Sequence, residues 1–409
     1  MIRRQPEDVF LFVNPKSGGN KGEDFLKVPQ PFLVDLDDGL QASLHIYSLL
    51  DGEPGNKVGF KRLAQTAASS STPIKTIVGG GDGTVMWADT EATSHGICTP
   101  EKLVYGIVPL GTGNDFSRVA GWGGKNPVGI LDEDCQVVRK LVQRWCKARP
   151  RPHDVWQVCI KVKDDEGAIL VVDKNKEETE FHNGTVHKLT LPMINYFSLG
   201  QESKVGIEFD KHRTKNQTCN LFVYACEGVV TEMRCCSQQH VGNLIRVMHH
   251  GPDADAPVIL GGFDDDEDED APQLIGNPES LMFLNINSYA GGNAHFWQRH
   301  CEPAVDPEPP AEDIDVDPDP GDGRLEVLTL PNIVGIPLDK IEHMGKRLIS
   351  GAPFYIEFEE GEDGEPLDVY CEVDGEFFHL VNPGSASVSL GKTLMVLQSV
   401  EEKKAKRPK

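Results

Sequence analysis

Positive charge is scarce in this chain of 409 residues: 40 Lys and Arg stand against 64 Asp and Glu, for a formal net charge of −24. Binding nucleic acid requires a cationic surface that neutralises phosphates, so this balance argues against a DNA or RNA partner. An acidic body is also repelled by anionic membranes, and any contact with lipid must therefore be local. Long apolar runs are missing too. Nothing approaches the ~20 residues that span a bilayer, and no N-terminal segment reads as a signal peptide. The ten cysteines are scattered, with no pair at the CxxC spacing of zinc and redox sites. The expectation is a cytoplasmic protein with reduced thiols, in which the Asn-x-Thr triplets at Asn183 and Asn216 are chance matches. Both the GxxxxGK[ST] phosphate loop and the GxGxxG loop with its protein-kinase companions are absent, so a nucleotide would need a different fold.

What the chain does contain is a unit repeated along its first third. Val9–Val13 is a continuous apolar run that breaks into Asn14-Pro15-Lys16-Ser17-Gly18-Gly19. Ile74–Val78 runs into Gly79-Gly80-Gly81-Asp82-Gly83-Thr84, followed by helix-compatible Val85–Ala92. Leu103–Val108 runs into Pro109-Leu110-Gly111-Thr112-Gly113-Asn114-Asp115, followed by Phe116–Ala120. Short apolar runs ending in turn residues are strands buried on both faces. Strands alternating with helices predict right-handed crossovers and a doubly wound parallel sheet, with ligands at the strands' carboxyl ends. Val138, Leu141, Val142 and Trp145 recur at helical spacing and predict a packing helix within 132–148. Arg149-Pro150-Arg151-Pro152 is the expected boundary to a second domain.

Beyond it the texture is mostly β. Strands are predicted at Val155–Val162, Ile169–Val172, Leu281–Ile286, Leu325–Leu330, Phe354–Phe358, Val369–Val373 and Ser387–Leu397, with helix in parts of 221–250 and at Leu338–Ile349. Polar stretches at 164–188, 251–279 and 301–322 read as surface loops or disorder. The acidic run Asp264–Asp270 and the Asp/Pro-rich stretch Glu302–Asp322 read as solvated. The domains expected are therefore an α/β domain over 6–150, a β-rich domain over 151–400 and a basic tail over 401–409. Lys403, Lys404, Lys406, Arg407 and Lys409 of that tail are either a solvated end or a contact for anionic lipid.

A glycine loop between a buried strand and a helix lets a phosphate approach the main chain without meeting a Cβ, and the helix start offers N–H groups and the positive end of a dipole. An acidic residue in such a loop makes sense if it handles a cation or a proton, so Asp82 is a candidate to hold Mg²⁺ on ATP or to accept a hydroxyl proton. One such loop alone is as readily a tight turn. Three in register point to a nucleoside triphosphate.

The three loops, followed by Trp122-Gly123-Gly124, resemble the catalytic domain of eukaryotic diacylglycerol kinases. Asn195-Tyr196-Phe197-Ser198-Leu199-Gly200, Asp322-Gly323-Arg324-Leu325-Glu326-Val327 and Val373-Asp374-Gly375-Glu376 resemble that family's accessory domain. The resemblance implies a first domain folded like phosphofructokinase and NAD kinase, a β-rich lipid-substrate domain, and ATP with Mg²⁺ as cofactors. Carried onto matching positions, Asn14, Pro15, Lys16, Ser17 and Gly18 would contact ATP, as would Gly80, Gly81, Asp82, Gly83 and Thr84. The same holds for Gly111, Thr112, Gly113, Asn114 and Asp115. Asp322 and Glu326 join Asp82 as candidate catalytic carboxylates. Asp322 also suits a plain turn, and Glu326, alternating with Leu325 and Val327, suits a solvent-facing strand position.

The implied reaction is phosphoryl transfer from ATP to diacylglycerol at a membrane surface, with transient membrane association. Two departures stand out. Gln201-Glu202-Ser203 replaces the family's usual Phe-Asp-Ala, and the zinc modules of animal relatives have no counterpart. The rivals are a kinase for sphingosine, ceramide or a related lipid, an NAD kinase, and a regulator that binds nucleotide or lipid without turnover.

Overall fold

The structure is a computed structural model that describes residues 6–164, 166–181, 187–212, 239–261, 271–289, 291–292, 295–298, 301–332, 345–361 and 365–400. The acidic run 264–270, the basic tail, and the helices expected over parts of 221–238 and 338–344 lie outside the described residues. The chain divides into two units: Met1–His153 with Ala290–Gly292 and Thr393–Lys409, and Asp154–Tyr289 with Asn293–Lys392.

The first unit contains β1 (Glu7–Val13), β2 (Phe32–Asp35), β3 (Gln41–Ser48), α1 (Val58–Ser69), β4 (Ile74–Gly80), α2 (Gly83–Ser94), β5 (Leu103–Pro109), α3 (Asp115–Val119) and α4 (Gln136–Lys147). In space the strands run β5-β4-β1-β3-β2. β1 is parallel to β3 and β4, β4 is parallel to β5, and β2 closes one edge antiparallel to β3. The residues Val9–Val13 are apolar at every position because both faces of β1 are covered. Val9, Leu11 and Val13 join a core with Val138, Val142 and Trp145 of α4, while Phe12 stacks on Phe60 of α1 with ring centroids 4.0 Å apart. The predicted doubly wound sheet is present with one antiparallel edge strand.

From β3 the chain crosses through α1 to β4 on the other side of β1, so strand order reverses between β1 and β4. In open α/β sheets that reversal opens a crevice at the carboxyl ends of the strands. The loops Asn14–Gly19 and Gly81–Asp82 leave the sheet there, and the loop after β5 is next in line.

The second unit carries an eight-stranded sheet in the order Lys346–Gly351, Leu325–Leu330, Ser280–Leu284, Tyr196–Gly200, Asp368–Val373, Glu376–Val381, Ala168–Val172 and Glu178–Glu180. Every pairing in it is antiparallel. A second group pairs Ile245–His250 with Val258–Gly261 and Phe354–Phe358.

Several expectations need correction. Arg149–Val162 is one continuous strand, so Arg149-Pro150-Arg151-Pro152 is not a linker; Pro150 and Pro152 lie in its exposed beginning, where a missing N–H is tolerated. The unit boundary falls three residues later than proline punctuation suggests, between His153 and Asp154. Residues 393–400 belong to the first unit rather than the second, because the last strand (Pro383–Gln398) runs parallel to β5 at Val396 and Tyr105. Ile245–His250 and Lys346–Gly351 are strands where helix is expected, and Gln201–His212 is a helix that no sequence pattern announces.

Candidate active site

The three glycine loops interlock. The peptide N–H of Asn14 donates to Gly79 O (2.9 Å), which ties the first loop to the end of β4. The side-chain oxygen of Asn14 accepts from Lys16 N–H (3.1 Å), a turn that leaves Lys16 exposed and brings Gly18 and Gly19 into left-handed conformations, φ 64° and 67°. Leu110 N–H donates to Gly80 O (2.9 Å), binding the third loop to the second.

The motif glycines answer to this packing. A Cβ on Gly80 would lie 2.3 Å from Thr84 Oγ1, so the four-residue spacing of Gly80 and Thr84 is fixed by a side chain folded back over the strand end. A Cβ on Gly111 would lie 2.7 Å from the Cα of Gly81 and 2.9 Å from Asn114 Oδ1. The second and third loops thus touch backbone to backbone. Gly83, at the first position of α2, is exposed and has open space about it.

Asp82 is half-buried at the turn into α2, and its Oδ2 accepts the N–H of Phe116 at the start of α3 (3.1 Å). Asn114 is buried in the left-handed region (φ 58°), and its side chain is engaged within the loops: Oδ1 accepts from Gly111 N–H (2.9 Å), while Nδ2 donates to Gly111 O (2.9 Å) and Gly124 O (3.0 Å). Asp115 is buried as well, and its two oxygens accept the N–H groups of Gly291 (2.9 Å) and Gly292 (2.8 Å). Thr112 is exposed at the tip. Asn114 and Asp115 therefore shape the third loop by their side chains, leaving its backbone and Thr112 as the surface a nucleotide would meet. The Gly291-Gly292 pair carries no signal in the sequence beyond two adjacent glycines.

In the second unit, Asp322 sits in a turn: its Oδ1 accepts Arg324 N–H (2.9 Å), and the next residue, Gly323, has φ 77° and donates to Asp154 Oδ2 (2.7 Å). The carboxyl of Asp322 is pushed above its usual pKa, first by loss of water around it and also by the charges of Asp319 and Asp154, against the opposing pull of the Arg324 N–H and guanidinium. The turn geometry expected of Asp322 and a raised pKa coexist.

Glu326 overturns the solvent-facing alternative. All six residues of Leu325–Leu330 are buried, Glu326 at 1% exposure, because this strand lies inside the eight-stranded sheet with both faces covered. Burial, with the charge of Asp322 added, raises its pKa to about 8. Ser350 Oγ donates to Glu326 Oε1 (3.4 Å) and accepts from Arg324 Nε (3.1 Å).

The remaining motifs of this unit are linked by Asp374. Its carboxylate accepts the N–H groups of Ile194 (2.7 Å), Asn195 (2.8 Å) and Tyr196 (3.1 Å), so Val373–Glu376 positions the strand Tyr196–Gly200. After that strand, Glu202 is buried; its Oε2 accepts from Ser198 Oγ (2.7 Å) and Ser203 Oγ (3.3 Å), and the Tyr289 hydroxyl lies between it and Glu372. Nothing in the sequence marks Tyr289 and Glu372 as partners of Glu202.

Residues 8–145 match the family model described as the diacylglycerol kinase catalytic domain, and residues 192–377 match the diacylglycerol kinase accessory domain. Diacylglycerol kinase zeta of Rattus norvegicus is 28% identical over 330 residues, 78% of this chain and 29% of the relative. The eye-specific diacylglycerol kinase of Drosophila melanogaster is 26% identical over 71% of this chain and 17% of its own length. Diacylglycerol kinase 1 of Oryza sativa subsp. japonica is 24% identical over 90% of this chain and 74% of its own. The chain thus spans under a third of the animal relatives and about three quarters of the plant one. A solved structure described as a diacylglycerol kinase from Bacillus anthracis aligns over 97% of this chain and 98% of its own, at a TM-score of 0.42 and 17% identity.

Proposed function

This chain belongs to the diacylglycerol kinase family, and on that footing we propose that it transfers the γ-phosphoryl group of ATP to the hydroxyl of diacylglycerol, giving phosphatidic acid. The observation that carries the nucleotide half is the interlocked set of glycine loops at the strand-order reversal, where backbone amides and a helix start converge. Phosphoryl transfer asks mainly for positioning and charge stabilisation, which such a cradle supplies. Lys16, exposed on the first loop, adds a cation for the phosphates.

Mg²⁺ fits this arrangement in one way. No group of three or more His, Cys, Asp or Glu side chains among the described residues is disposed to hold a metal. Magnesium commonly rests on substrate phosphates with one or two carboxylates, and Asp82 is the candidate in the cradle, since both oxygens of Asp115 accept the N–H groups of Gly291 and Gly292. When bound, the ion would offset charge on the transferring phosphoryl group.

The two second-unit carboxylates take different parts. Asp322 is exposed, so its carboxylate is the proton acceptor for the lipid hydroxyl, and its raised pKa strengthens it as a base. Glu326 at 1% exposure meets no substrate; it acts through Ser350 and Arg324 and is a positioning residue. No described helix is long and apolar enough to cross a membrane.

The test is incubation of the purified chain with labelled ATP and a panel of diacylglycerol, sphingosine, ceramide and NAD. Labelled phosphatidic acid is the expected product. Phosphorylation of another panel member in its place refutes the diacylglycerol reading, and ATP binding without turnover on any of them refutes the enzyme.

A further inference from the structure

A cavity of about 640 Å³ lies in the first unit beside the carboxyl end of β5, bounded by α4, by the loop Trp122–Pro127 and by Ser399 and Val400. Its lining includes Lys125, Lys140, Arg144 and Lys147, and none of the described residues that line it is acidic. In a chain with a net charge of −24, four cations around one cavity run against the composition.

Helix geometry builds one wall. Residues 137, 140, 141, 144 and 147 follow one another at three- and four-residue steps and share a face, whereas Val138, Val142 and Trp145 turn into the core. Cations in the last turn offset the helix dipole, which is reason enough for Arg144 and Lys147. Lys147 also pairs with Asp37 (2.5 Å). Neither reason covers Lys140, a turn and a half earlier, nor Lys125, which comes from the opposite wall; both are exposed. Between the cations the floor is apolar. Leu141 and Val137 are half-buried there, and the Trp122 ring donates its Nε1–H to Leu397 O (2.8 Å) with the Arg144 guanidinium over it at 5.2 Å.

Cations around an apolar floor match an amphiphilic anion. We propose that this cavity holds the phosphate headgroup of an anionic phospholipid, with the phosphate between Lys125 and Lys140 and the glycerol and first methylenes against Leu141 and Trp122. The inference rests on the reading of the protein as an enzyme acting at a lipid surface, and it names the local contact through which an acidic body meets an anionic membrane. The loop that carries Lys125 also supports the glycine loops: Gly124 O accepts from Asn114 Nδ2 (3.0 Å), and Asn126 Nδ2 would lie 2.8 Å from a Cβ on Gly18. Headgroup capture therefore takes place next to the nucleotide cradle without occupying it.

The experiment is sedimentation of the full chain with phosphatidylcholine vesicles, with and without phosphatidic acid, comparing the parent with Lys125→Ala/Lys140→Ala and with Lys125→Arg/Lys140→Arg. Removing two cations at an anionic surface is expected to weaken partitioning about thirty-fold on the acidic vesicles, leaving neutral vesicles unaffected. The arginine pair is expected to retain binding, and turnover of a water-soluble short-chain diacylglycerol is expected to match the parent in both variants. Parent-like binding of the alanine pair to acidic vesicles, as a contact made wholly by the basic tail would produce, overturns the site. An equal loss of binding by the alanine pair on neutral phosphatidylcholine vesicles overturns the anionic lipid as occupant. Vesicle binding needs no turnover, so a failed lipid-kinase assay leaves this result standing and the two readings fail separately.

Discussion

Replacing Glu326 by Gln should stabilise the protein at alkaline pH and leave it unchanged at acid pH. Burial lifts this carboxyl from 4.5 to about 8. A raised carboxyl means that the folded state keeps its proton while the unfolded chain has released it. The stability present below about pH 4.5 is therefore lost as pH climbs through the window to about 8. At about 1.4 kcal/mol for each pH unit in that window, the loss across the whole of it is roughly 5 kcal/mol, a large share of the stability of a typical domain. Gln has the same shape, still accepts the Ser350 hydroxyl through its side-chain oxygen, and cannot ionise. The assay is thermal denaturation of parent and variant from acid to alkaline pH. Taking the difference between the two curves at each pH cancels the other titrating groups. The midpoints should coincide near the acid end and separate in favour of the variant by about 10–20 °C above pH 8, for a domain of this size. Parallel curves would refute the buried, proton-holding state of Glu326 and the positioning role built on it.

Asp82→Asn keeps an acceptor for the Phe116 N–H, so circular dichroism and melting should match the parent while turnover drops at least about 100-fold; near-parent turnover would remove Asp82 from the mechanism. Asp322→Asn should lower kcat by a similar factor of about 100 with the KM for ATP unchanged, since its carboxylate acts on the lipid hydroxyl; a rise in KM for ATP instead would move it to the nucleotide site. Asp115→Ala deprives the Gly291 and Gly292 N–H groups of their acceptor, and urea unfolding should show a loss of about 2–4 kcal/mol, against no change if that clamp is idle.

How much of the fold and the site is legible in the sequence depends on local chemistry. Val9–Val13 and Leu103–Val108 declare themselves because strands covered on both faces are apolar along most of their length, and each breaks into turn residues. Gly83–Ser94 and Gln136–Lys147 are likewise visible, the second through its apolar stripe. The helix Val58–Ser69 is less conspicuous because Phe60 and Leu63 are the only large apolar side chains on its buried face, and the edge strand Phe32–Asp35 because only four residues carry it, the first three all apolar. Glu326 misleads because an acidic residue between apolar neighbours has the pattern of a half-exposed strand, and only the sheet partners on either side reveal that it is buried. Long-range contacts such as Asp115 with Gly291 and Gly292, or Asp374 with residues 194–196, leave no mark at the sequence spacing where they could be sought.

The glycines present the sharpest case, because two physical causes predict the same residue. Phosphate approach to the main chain demands the absence of Cβ, and so does the packing of one loop on another. At Gly111 the second cause is sufficient: a Cβ would lie 2.7 Å from the Cα of Gly81, and Gly111→Ala should cost about 1–3 kcal/mol of stability whether or not ATP binds. At Gly83 the second cause is absent, for nothing lies within 4 Å of an added Cβ, and the residue opens a helix in which Ala is favoured over Gly by up to about 1 kcal/mol. Packing alone therefore predicts that Gly83→Ala is neutral or stabilising. Phosphate approach predicts a stable protein that binds ATP roughly tenfold more weakly, because a methyl group stands where the phosphate would meet the helix start. Titration calorimetry with ATP on this one variant separates the causes. If affinity is unchanged, the phosphates do not lie against the start of α2, and the second loop is glycine-rich for the sake of its neighbours.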